Sequence, residues 1–314
     1  MKSRVHPKYK TRYRVTNWRD YERGLVQRGD VTIWLSPEAL DMWKAKPSGR
    51  RGAQPKFSDL AIETALTMRL VFHLPLRQIE GFLRSLFKLM DVALEVPDHT
   101  TLSRRSANLK VLLVSRTSSG PIDLIIDSSG LAIVGEGEWA VAKHGGNGRR
   151  GWKKLHLGVD ATGEIVAQVL TNSNVDDGTA GVGIIKNVSR PIRTVTADAA
   201  YDTKPIYDAA KGMGAEVVVP PSSIASTSTR RRRSKARNRT VMRVKEVGRR
   251  QWKKETGYHR QGRVENTFFR YKTVIGDRLR ARTLSALETE AAVACNVLNR
   301  MRALGWQVSE KVAR

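Results

Sequence analysis

Residues 121–130, PIDLIIDSSG, place a carboxylate directly after a short apolar run. The run at 122–126 is bounded by proline on one side and by Ser-Ser-Gly on the other, which is typical of a buried strand. A charged side chain at the end of such a strand is costly to bury unless another group pairs with it. Asp127 is therefore a candidate functional residue.

Two later stretches carry a carboxylate in a comparable setting. In RTVTADAAYD a β-type run leads to Asp198, and in HRQGRVENTFFRYK Glu265 sits near the start of a helical pattern. Each acid alone is more typical of a cap or a turn, but the three in this order favour a shared function. Ligands gather at the strand ends of an open sheet, and carboxylates that converge there repel one another unless cations neutralise them.

These acids predict a two-metal site. Oxygen ligands alone suit Mg²⁺ or Mn²⁺ rather than zinc. Two such ions ~4 Å apart clamp a phosphodiester, activate a water or hydroxyl, and stabilise the leaving oxygen. We therefore expect Asp127, Asp198 and Glu265 to be catalytic and to bind two Mg²⁺ (or Mn²⁺) ions.

The composition indicates a nucleic-acid partner. The chain has 314 residues, enough for about two domains, and its 40% hydrophobic content supports a core. The 56 Lys and Arg residues against 30 Asp and Glu give a formal charge of +26, which implies a polyanionic partner. No stretch has the ~20 apolar residues that cross a bilayer, so no membrane contact is expected. The single cysteine, Cys295, allows no intrachain disulfide, favours a cytosolic location and is expected in the core.

The first 55 residues are predicted to be a basic arm and linker. Residues 1–24 are rich in Lys, Arg, Tyr and Trp, which is typical of a DNA-grasping arm or of a solvated leader. The pattern VTIWL at 31–35 indicates a short strand. The stretch KPSGRRGAQ at 46–54 indicates a linker.

A helical DNA-binding domain is predicted over 56–115. Three helical patterns lie within it, the last of them capped by Asp98 and carrying Arg104 and Arg105. These patterns resemble a helix-turn-helix unit. A purely structural helical subdomain has the same pattern, so that alternative stays open.

An α/β domain is predicted over 116–305, followed by a tail at 306–314. Antiparallel strands come first, then a helix, a strand, a helix and a strand, which is the order of an α/β layered domain. The predicted strands lie at 123–134, 139–144, 154–160, 164–170, 193–198 and 216–219, and the helices at 177–188, 203–213, 262–275 and 284–304.

A basic insertion interrupts this domain at about 222–255. Between Arg230 and Lys254, thirteen residues are Lys or Arg and one, Glu246, is acidic. A block of this charge repels itself and is predicted to be mobile without its partner. Its density favours a surface that tracks phosphates; a solvated loop is the alternative.

The predicted helix at 262–275 presents a carboxylate and an ammonium on one face. The carboxylate can bind a metal, and the ammonium two turns later can bind a phosphate. Phe269 is expected to point toward the core. The residues just before the helix, Tyr258, His259 and Arg260, can stack on or hold unpaired DNA. At helical spacing the face carries Gln261, Glu265, Phe268 and Lys272.

The remaining acids and histidines of the α/β region are predicted to have structural roles. His144 and His156 are expected to be packed strand residues rather than DNA contacts. The acids predicted to serve strand starts, turns and caps are Asp123, Asp160, Asp176, Asp177 and Asp202.

Together these stretches resemble bacterial insertion-sequence transposases of the Asp-Asp-Glu (DDE) type, which have a ribonuclease-H-like catalytic domain. Asp127 in IIDSSG, Asp198 in TADAAYD and Glu265 in YHRQGRVENTFFRYK look like the catalytic acids of that family. The resemblance covers roughly residues 55–305. It implies a ribonuclease-H-like mixed sheet with flanking helices, preceded by an all-α N-terminal domain that binds the element ends.

The last stretch is also similar to a family signature in which Tyr, Arg, Glu and Lys recur at fixed spacing. Gln261 stands where the signature has Arg, and Arg260 and Arg263 flank it, so the phosphate contact is expected to be displaced. The matching positions hold Tyr258, Glu265 and Lys272. The DNA-binding residues that follow from the resemblance and the charge pattern are Tyr258, Arg260, Gln261, Arg263, Lys272, Arg104 and Arg105.

The implied activity is cleavage of insertion-element ends and joining of the freed 3′-hydroxyl to target DNA. The implied partners are double-stranded DNA, as terminal inverted repeats and target, and a second copy of the chain, since two ends are held together. The implied location is the bacterial cytoplasm, at the nucleoid. Two alternatives stay open: a resolvase-type nuclease with the same fold, and a non-catalytic DNA-binding derivative. Intact Asp127, Asp198 and Glu265 argue against the second.

Overall fold

The structure, a computed structural model, describes residues 13–47, 49, 51–115, 120–134, 152–222, 224–227 and 234–311. Its first part is helical after one short strand. Side chains cap two of the helices, since Ser58 accepts a hydrogen bond from the amide of Ala61, and Asp98 accepts one from that of Thr101. The elements are β1 (Tyr13–Val15), α1 (Trp18–Gln27), α2 (Val31–Trp34), α3 (Pro37–Asp41), α4 (Asp59–Val71), α5 (Leu76–Leu89) and α6 (His99–Ser106). The three helices predicted within 56–115 are confirmed.

The second part alternates strands and helices. Two 3₁₀ turns, Ala199–Tyr201 and Tyr258–Gln261, interrupt it. Within the described residues, no helix is long and apolar enough to cross a membrane. The elements are β2 (Ile122–Ile133), β3 (Trp152–Val159), β4 (Ile165–Asn172), α7 (Asp177–Asn187), β5 (Ile192–Thr196), α8 (Lys204–Gly212), β6 (Glu216–Val218), α9 (Lys235–Val247), α10 (Arg249–Glu255), α11 (Gly262–Val274), β7 (Arg278–Leu279), α12 (Leu284–Leu304) and β8 (Ser309–Lys311).

A six-stranded mixed sheet organises this second part. The strand order is β4-β3-β2-β5-β6, and β7 pairs with the far end of β2. Strands β2, β3 and β4 run antiparallel, whereas β5 is parallel to β2 and β6 is parallel to β5. The predicted α/β class, with a mixed sheet and flanking helices, is confirmed. The strand predicted at 139–144 lies outside the described residues.

Strand β2 lies in the middle of the sheet, and both of its faces are covered. Leu124, Ile125 and Ile126 are fully buried, and successive side chains of a strand point to opposite faces. Ile125 belongs to the core that the sheet shares with the N-terminal helices, α11 and α12. Leu124 and Ile126 belong to a second core, beneath α7 and α8. Residues that follow Ile126 are therefore held in place from both sides.

The N-terminal helices share their core with the sheet. Helices α1, α4 and α6 contact α12, a 21-residue helix that is buried on most of its surface. Cys295 lies in the middle of α12 and is fully buried, as predicted. The core thus runs across the predicted boundary at 115–116, and the domain boundaries stay a prediction.

One prediction for the N-terminal segment is wrong. VTIWL forms a helix rather than a strand, because the Asp30 carboxylate accepts a hydrogen bond from the amide of Thr32 and caps it, while Trp34 is buried. The described part of the arm is packed on the opposite end of the chain. Strand β1 pairs with β8, and Gly24 abuts Gly305 so closely that a Cβ on Gly24 would lie 2.9 Å from the Gly305 Cα.

The basic insertion is folded where the structure describes it, so the predicted mobility is wrong there. It forms α9 and α10, and the Ser234 hydroxyl caps α9. Val241 and Trp252 bury apolar surface that the charge pattern conceals. Arg237 forms two hydrogen bonds of 2.7 Å with the buried carboxylate of Asp202. Residues 228–233, part of the same block, lie outside the described residues.

Replacing Arg237 with Ala should lower the free energy of unfolding by about 3 kcal/mol, because Asp202 then stays buried without its cation. Urea unfolding followed by circular dichroism measures this change. Arg239→Ala, on an exposed position of the same helix, is the matched control and should change stability by less than about 0.5 kcal/mol. Equal effects of the two substitutions would show that the ion pair does not anchor α9.

Candidate active site

Asp127 lies on β2 where the parallel part of the sheet ends. The last pair between β2 and β5 is Ile125 with Thr196, whereas β2 continues alongside β3 as far as Ala132. Asp127 is half-buried, and its Oδ1 accepts a hydrogen bond of 2.8 Å from the amide of Ser128. The carboxylate is thus held at the carboxyl end of a parallel strand pair, where sheets of this kind bind ligands.

Asp198 follows the neighbouring strand at the same edge. It comes two residues after the end of β5, and its Oδ1 accepts a hydrogen bond of 3.0 Å from the amide of Ala200, which caps the turn Ala199–Tyr201. Because β2 and β5 are parallel neighbours, Asp127 and Asp198 emerge side by side.

Glu265 reaches this edge from the first turn of α11, and its residue is exposed. Helix α11 packs against β2 and β3. Just before the helix, the Gln261 side-chain amide donates a hydrogen bond of 3.1 Å to the carbonyl of Ile126. This contact joins the start of α11 to the residue that precedes Asp127.

The three predicted acids share one electrostatic environment. Burial, and then the negative charges of Asp198 and Glu265, raise the pKa of Asp127 to about 6. Burial also raises the pKa of Asp198. Burial, and then the charges of these same acids, raise the pKa of Tyr258 to about 12, so its hydroxyl stays protonated at neutral pH. The structure therefore brings the acids and Tyr258 together.

A fourth acid, Asp177, belongs to the same edge, although the sequence analysis gave it only a structural role. Its Oδ1 accepts a hydrogen bond of 3.1 Å from the Ser128 hydroxyl and lies 3.3 Å from the ammonium of Lys154. Its charge raises the pKa of both Asp127 and Asp198. The position of Asp177 depends on the docking of α7 beside β3, and no local pattern in the sequence indicates that contact.

His156 lies beneath this edge and is fully buried, as expected for a packed strand residue. Its Nε2 is 2.9 Å from the Thr171 hydroxyl, and its Nδ1 is 3.8 Å from the Asp177 Oδ1. Burial lowers the pKa of His156 to about 4, so the ring is neutral at physiological pH. The second predicted histidine, His144, lies outside the described residues.

Gln261 is buried, with 5% of its surface exposed, and its Oε1 has no partner among the described residues. This corrects the predicted DNA contact of Gln261, because its side chain points into the protein. Arg260, also predicted to contact DNA, pairs at 2.9 Å with the Asp123 carboxylate, which Arg193 binds as well. Asp123 is thus a buried anchor, and Arg260 ties the start of α11 to the start of β2.

Helix α11 turns a different face to the core than predicted. Phe268 is buried and Phe269 is 70% exposed, the reverse of the expected assignment for Phe269. The buried positions Val264, Phe268 and Tyr271 follow helical spacing, and Phe269 lies one residue round from that stripe. Lys272, like Glu265, is exposed.

The remaining predicted DNA contacts are divided between exposed side chains and one that is engaged within the protein. Arg263 and Arg104 are exposed. Arg105 instead donates hydrogen bonds to the carbonyl of Phe57 and to the carboxylate of Asp59. It therefore joins α6 to the start of α4.

The acidic edge has the donor chemistry of a Mg²⁺ or Mn²⁺ site. All of the candidate donors are carboxylate oxygens, which these ions prefer. Burial, and then neighbouring negative charge, raise the pKa of Asp127 and Asp198, and a divalent cation would neutralise that charge. In the part of the chain that the structure describes, no three His, Cys, Asp or Glu side chains are placed so that they could hold a metal ion. Asp127, Asp198 and Glu265 stay the predicted ligands.

The fold and the site define an α/β protein in which acids cluster at the carboxyl ends of two parallel strands of a mixed sheet. Two family models, each described as a transposase DDE domain, match residues 26–136 and 118–300. The second match covers more than half of the chain, and the chain belongs to this family of transposases. The resemblance predicted from the three acidic stretches is confirmed.

Among solved structures, the chain is similar to a piggyBac transposase, determined by cryo-EM as a synaptic complex with hairpin DNA. The identity is 13% and the TM-score is 0.37, over 94% of this chain and 82% of that chain.

The raised pKa of Asp127 predicts a pH-dependent penalty on stability without divalent ions. A carboxylate whose pKa rises from 3.8 to about 6 on folding stabilises the fold below pH 3.8, and this contribution is lost as the pH rises through about 6. Asp127→Asn should therefore be more stable than the wild type at about pH 7 in EDTA, by on the order of 2 kcal/mol, and equally stable near pH 4.

Thermal unfolding of both proteins across this pH range measures the effect. Asp41→Asn, at an exposed position, is the control and should follow the wild type at every pH. A constant difference between Asp127→Asn and the wild type, independent of pH, would contradict the assigned ionisation.

Proposed function

We propose that this protein is a metal-dependent DNA transposase whose catalytic residues are Asp127, Asp198 and Glu265. Family membership supports the activity. The observation that carries the site is the placement of Asp127 and Asp198 at the ends of adjacent parallel strands, where burial and then the charges of Asp198 and Glu265 raise the pKa of Asp127 to about 6. Acids held together against their mutual repulsion are a feature of catalytic sites more often than of structural ones.

In this proposal the three carboxylates hold two Mg²⁺ (or Mn²⁺) ions. When bound, such ions activate the attacking oxygen and stabilise charge on the leaving oxygen of a phosphodiester. Asp127 and Asp198 stand on the ends of adjacent parallel strands, which fixes their separation. Glu265 comes from α11, whose start is tied to β2 through Gln261 and Arg260. Asp177 stays outside the set, since Lys154 and Ser128 already engage it.

The reaction is proposed in two transfers at one site. First, the oxygen of a water molecule forms a bond to phosphorus at the element end, and the bond to the 3′ oxygen breaks, leaving a 3′-hydroxyl. That hydroxyl then forms a bond to a target phosphorus, and the target's own 3′ oxygen leaves. Tyr258 keeps its proton and can donate it in a hydrogen bond to a phosphate oxygen. Lys272, two turns after Glu265 and exposed, can bind a further phosphate.

The proposed DNA partners are the terminal inverted repeats and the target duplex. The exposed basic residues of α9 and α10 suit phosphate contacts, since most of their cations lie on the surface. A helix-turn-helix role for α4–α6 is part of the proposal, with Arg104 the better placed of its two arginines because Arg105 is occupied. Joining two ends requires a dimer or a larger assembly on DNA. The cytoplasmic location stays a prediction.

Nicking of a linear duplex that carries the element's own terminal sequence tests the function. With Mn²⁺ the wild type should cut at the element boundary, and EDTA should abolish the cut. Asp127→Ala and Glu265→Gln should both abolish it while leaving DNA affinity largely intact, because they remove ligands and not the basic surface. Gel analysis of end-labelled strands measures cutting, and an electrophoretic shift measures affinity.

The matched control is Asp41→Ala, which removes an exposed carboxylate far from this edge in the sequence and should cut like the wild type. Wild-type cutting by Asp127→Ala would sink the assigned site. Cutting of branched DNA in preference to the linear end would indicate a resolvase-type nuclease. Tight binding without any cutting by the wild type would indicate a binding-only derivative.

A further inference from the structure

A groove of about 940 Å³ runs along helix α11 and is built from distant parts of the chain. One wall is α11. The other consists of residues from β1, α1 and the segment 305–309. Pairing of β1 with β8 and the close approach of Gly24 to Gly305 fix these chain-end segments against each other. The groove is therefore a feature of the packed fold and not of one exposed loop.

The groove is strongly cationic. Among the residues that the structure describes, its lining contains no acid, and its arginines are Arg28, Arg260, Arg263, Arg270 and Arg302. Burial lowers the pKa of Arg270, and the charges of Arg28 and Arg302 lower it further. Guanidinium groups gathered in this way repel one another until an anion joins them. Phosphate is the anion whose geometry matches the arginine fork.

Backbone carbonyls hold two of these arginines in place. The Arg28 Nη2 donates a hydrogen bond of 2.9 Å to the carbonyl of Gly305, and the Arg302 Nη2 donates one of 2.7 Å to that of Thr162. A carbonyl orients a guanidinium without adding negative charge. Arg260 already pairs with Asp123. Arg263, which is exposed, and Arg270, which has cationic neighbours, are therefore the groove arginines best placed to meet a ligand.

Exposed aromatic rings line the same groove. Phe269, Tyr13 and Trp306 are all exposed, and a large hydrophobic ring in water is costly unless something covers it. The Arg302 guanidinium lies 4.4 Å from the centre of the Trp306 ring. Alternating cations and rings are the features with which proteins bind single-stranded nucleic acid, because each base offers a face for stacking once it is unpaired.

Helix α11 connects the groove to the acidic edge. Phe269 lies one turn after Glu265 on α11, so both project toward the same side of the helix. Arg260 lines the groove while its Nη1 binds Asp123 at the start of β2. A strand that passes Glu265 and crosses Phe269 would enter the groove directly.

We propose that this groove binds an unpaired DNA strand adjoining the cleavage site. Arg263 and Arg270 contact its phosphates, and Phe269 stacks on a base at the entrance. This inference rests on the proposed function for its identification of DNA. It adds that the bound strand is unpaired and that the strand runs along this groove. Paired bases present only their edges to the protein, so a duplex cannot use Phe269 in this way.

Fluorescence anisotropy of a labelled oligothymidine of about 12 nucleotides, titrated with full-length protein in EDTA, tests the proposal. Phe269→Ala should weaken binding by about fivefold or more, the effect of losing one stacked base. Arg263→Gln with Arg270→Gln should lower the slope of log affinity against log salt by about 1.4, since each phosphate contact to a single strand contributes ~0.7. Blunt duplex of the same length should lose less than twofold on Phe269→Ala.

Two control variants match these changes elsewhere on the surface. Leu89→Ala removes an equally exposed apolar side chain, and Lys186→Gln with Lys211→Gln removes two exposed charges. Both should keep the wild-type affinity for the oligothymidine within twofold. Thermal unfolding checks that each variant is folded. Phe269 is mostly exposed, so Phe269→Ala should fold normally. This variant still decides the test if the Arg270 substitution lowers stability.

The outcome can be separated from that of the nicking experiment. Binding in EDTA requires no chemistry, so oligothymidine affinity is measured whether or not nicking is observed. Unchanged oligothymidine affinity in Phe269→Ala and in the double arginine variant would overturn the groove while leaving the catalytic site untouched. An equal loss on oligothymidine and on duplex would overturn the assignment to unpaired DNA.

Discussion

Repulsion among carboxylates at one edge of a sheet is the constraint on which this structure depends. Asp127 and Asp198 end up side by side because β2 and β5 are parallel neighbours, and Glu265 completes the group from α11. Burial, and then the negative charges of Asp198, Glu265 and Asp177, raise the pKa of Asp127 to about 6. Only a scaffold that resists separation can keep these acids together, and under the proposed function the arrangement offers negative charge to a cation.

The scaffold resists separation through burial and through contacts between distant residues. The side chains just before Asp127 are buried on both faces of the sheet, in two different cores. Asp123, at the start of the same strand, binds Arg193 and Arg260. Gln261 bonds to the carbonyl of Ile126. The residues just before α11 are thus joined to Asp123, at the start of β2, and to Ile126, directly before Asp127. This organisation explains why position 261 works as a structural link here.

Much of the fold follows from local patterns, and the failures share one cause. Hydrophobic periodicity with turn and cap residues predicted the strand and helix order from β2 to β6, and the site acids lie in stretches bounded in this way. The strand predicted for VTIWL is a helix because the cap residue Asp30 outweighs the β-branched residues. The mobility predicted for the basic block was wrong because its apolar anchors, Val241 and Trp252, are hard to recognise among so many charged residues. Asp177, Phe269 and the arginine groove depend on which elements pack together, and that information is absent from any single stretch.

The most direct measurement of the central claim is anomalous diffraction at the manganese edge, from crystals grown with Mn²⁺ and DNA carrying the element end. The account predicts two manganese peaks within bonding distance of Asp127, Asp198 and Glu265, with a phosphate of the DNA between them. The same crystals of Glu265→Gln should lose at least one peak. Manganese bound elsewhere, or no peak at these acids with DNA in place, would contradict a site in which three carboxylates hold the ions for strand transfer.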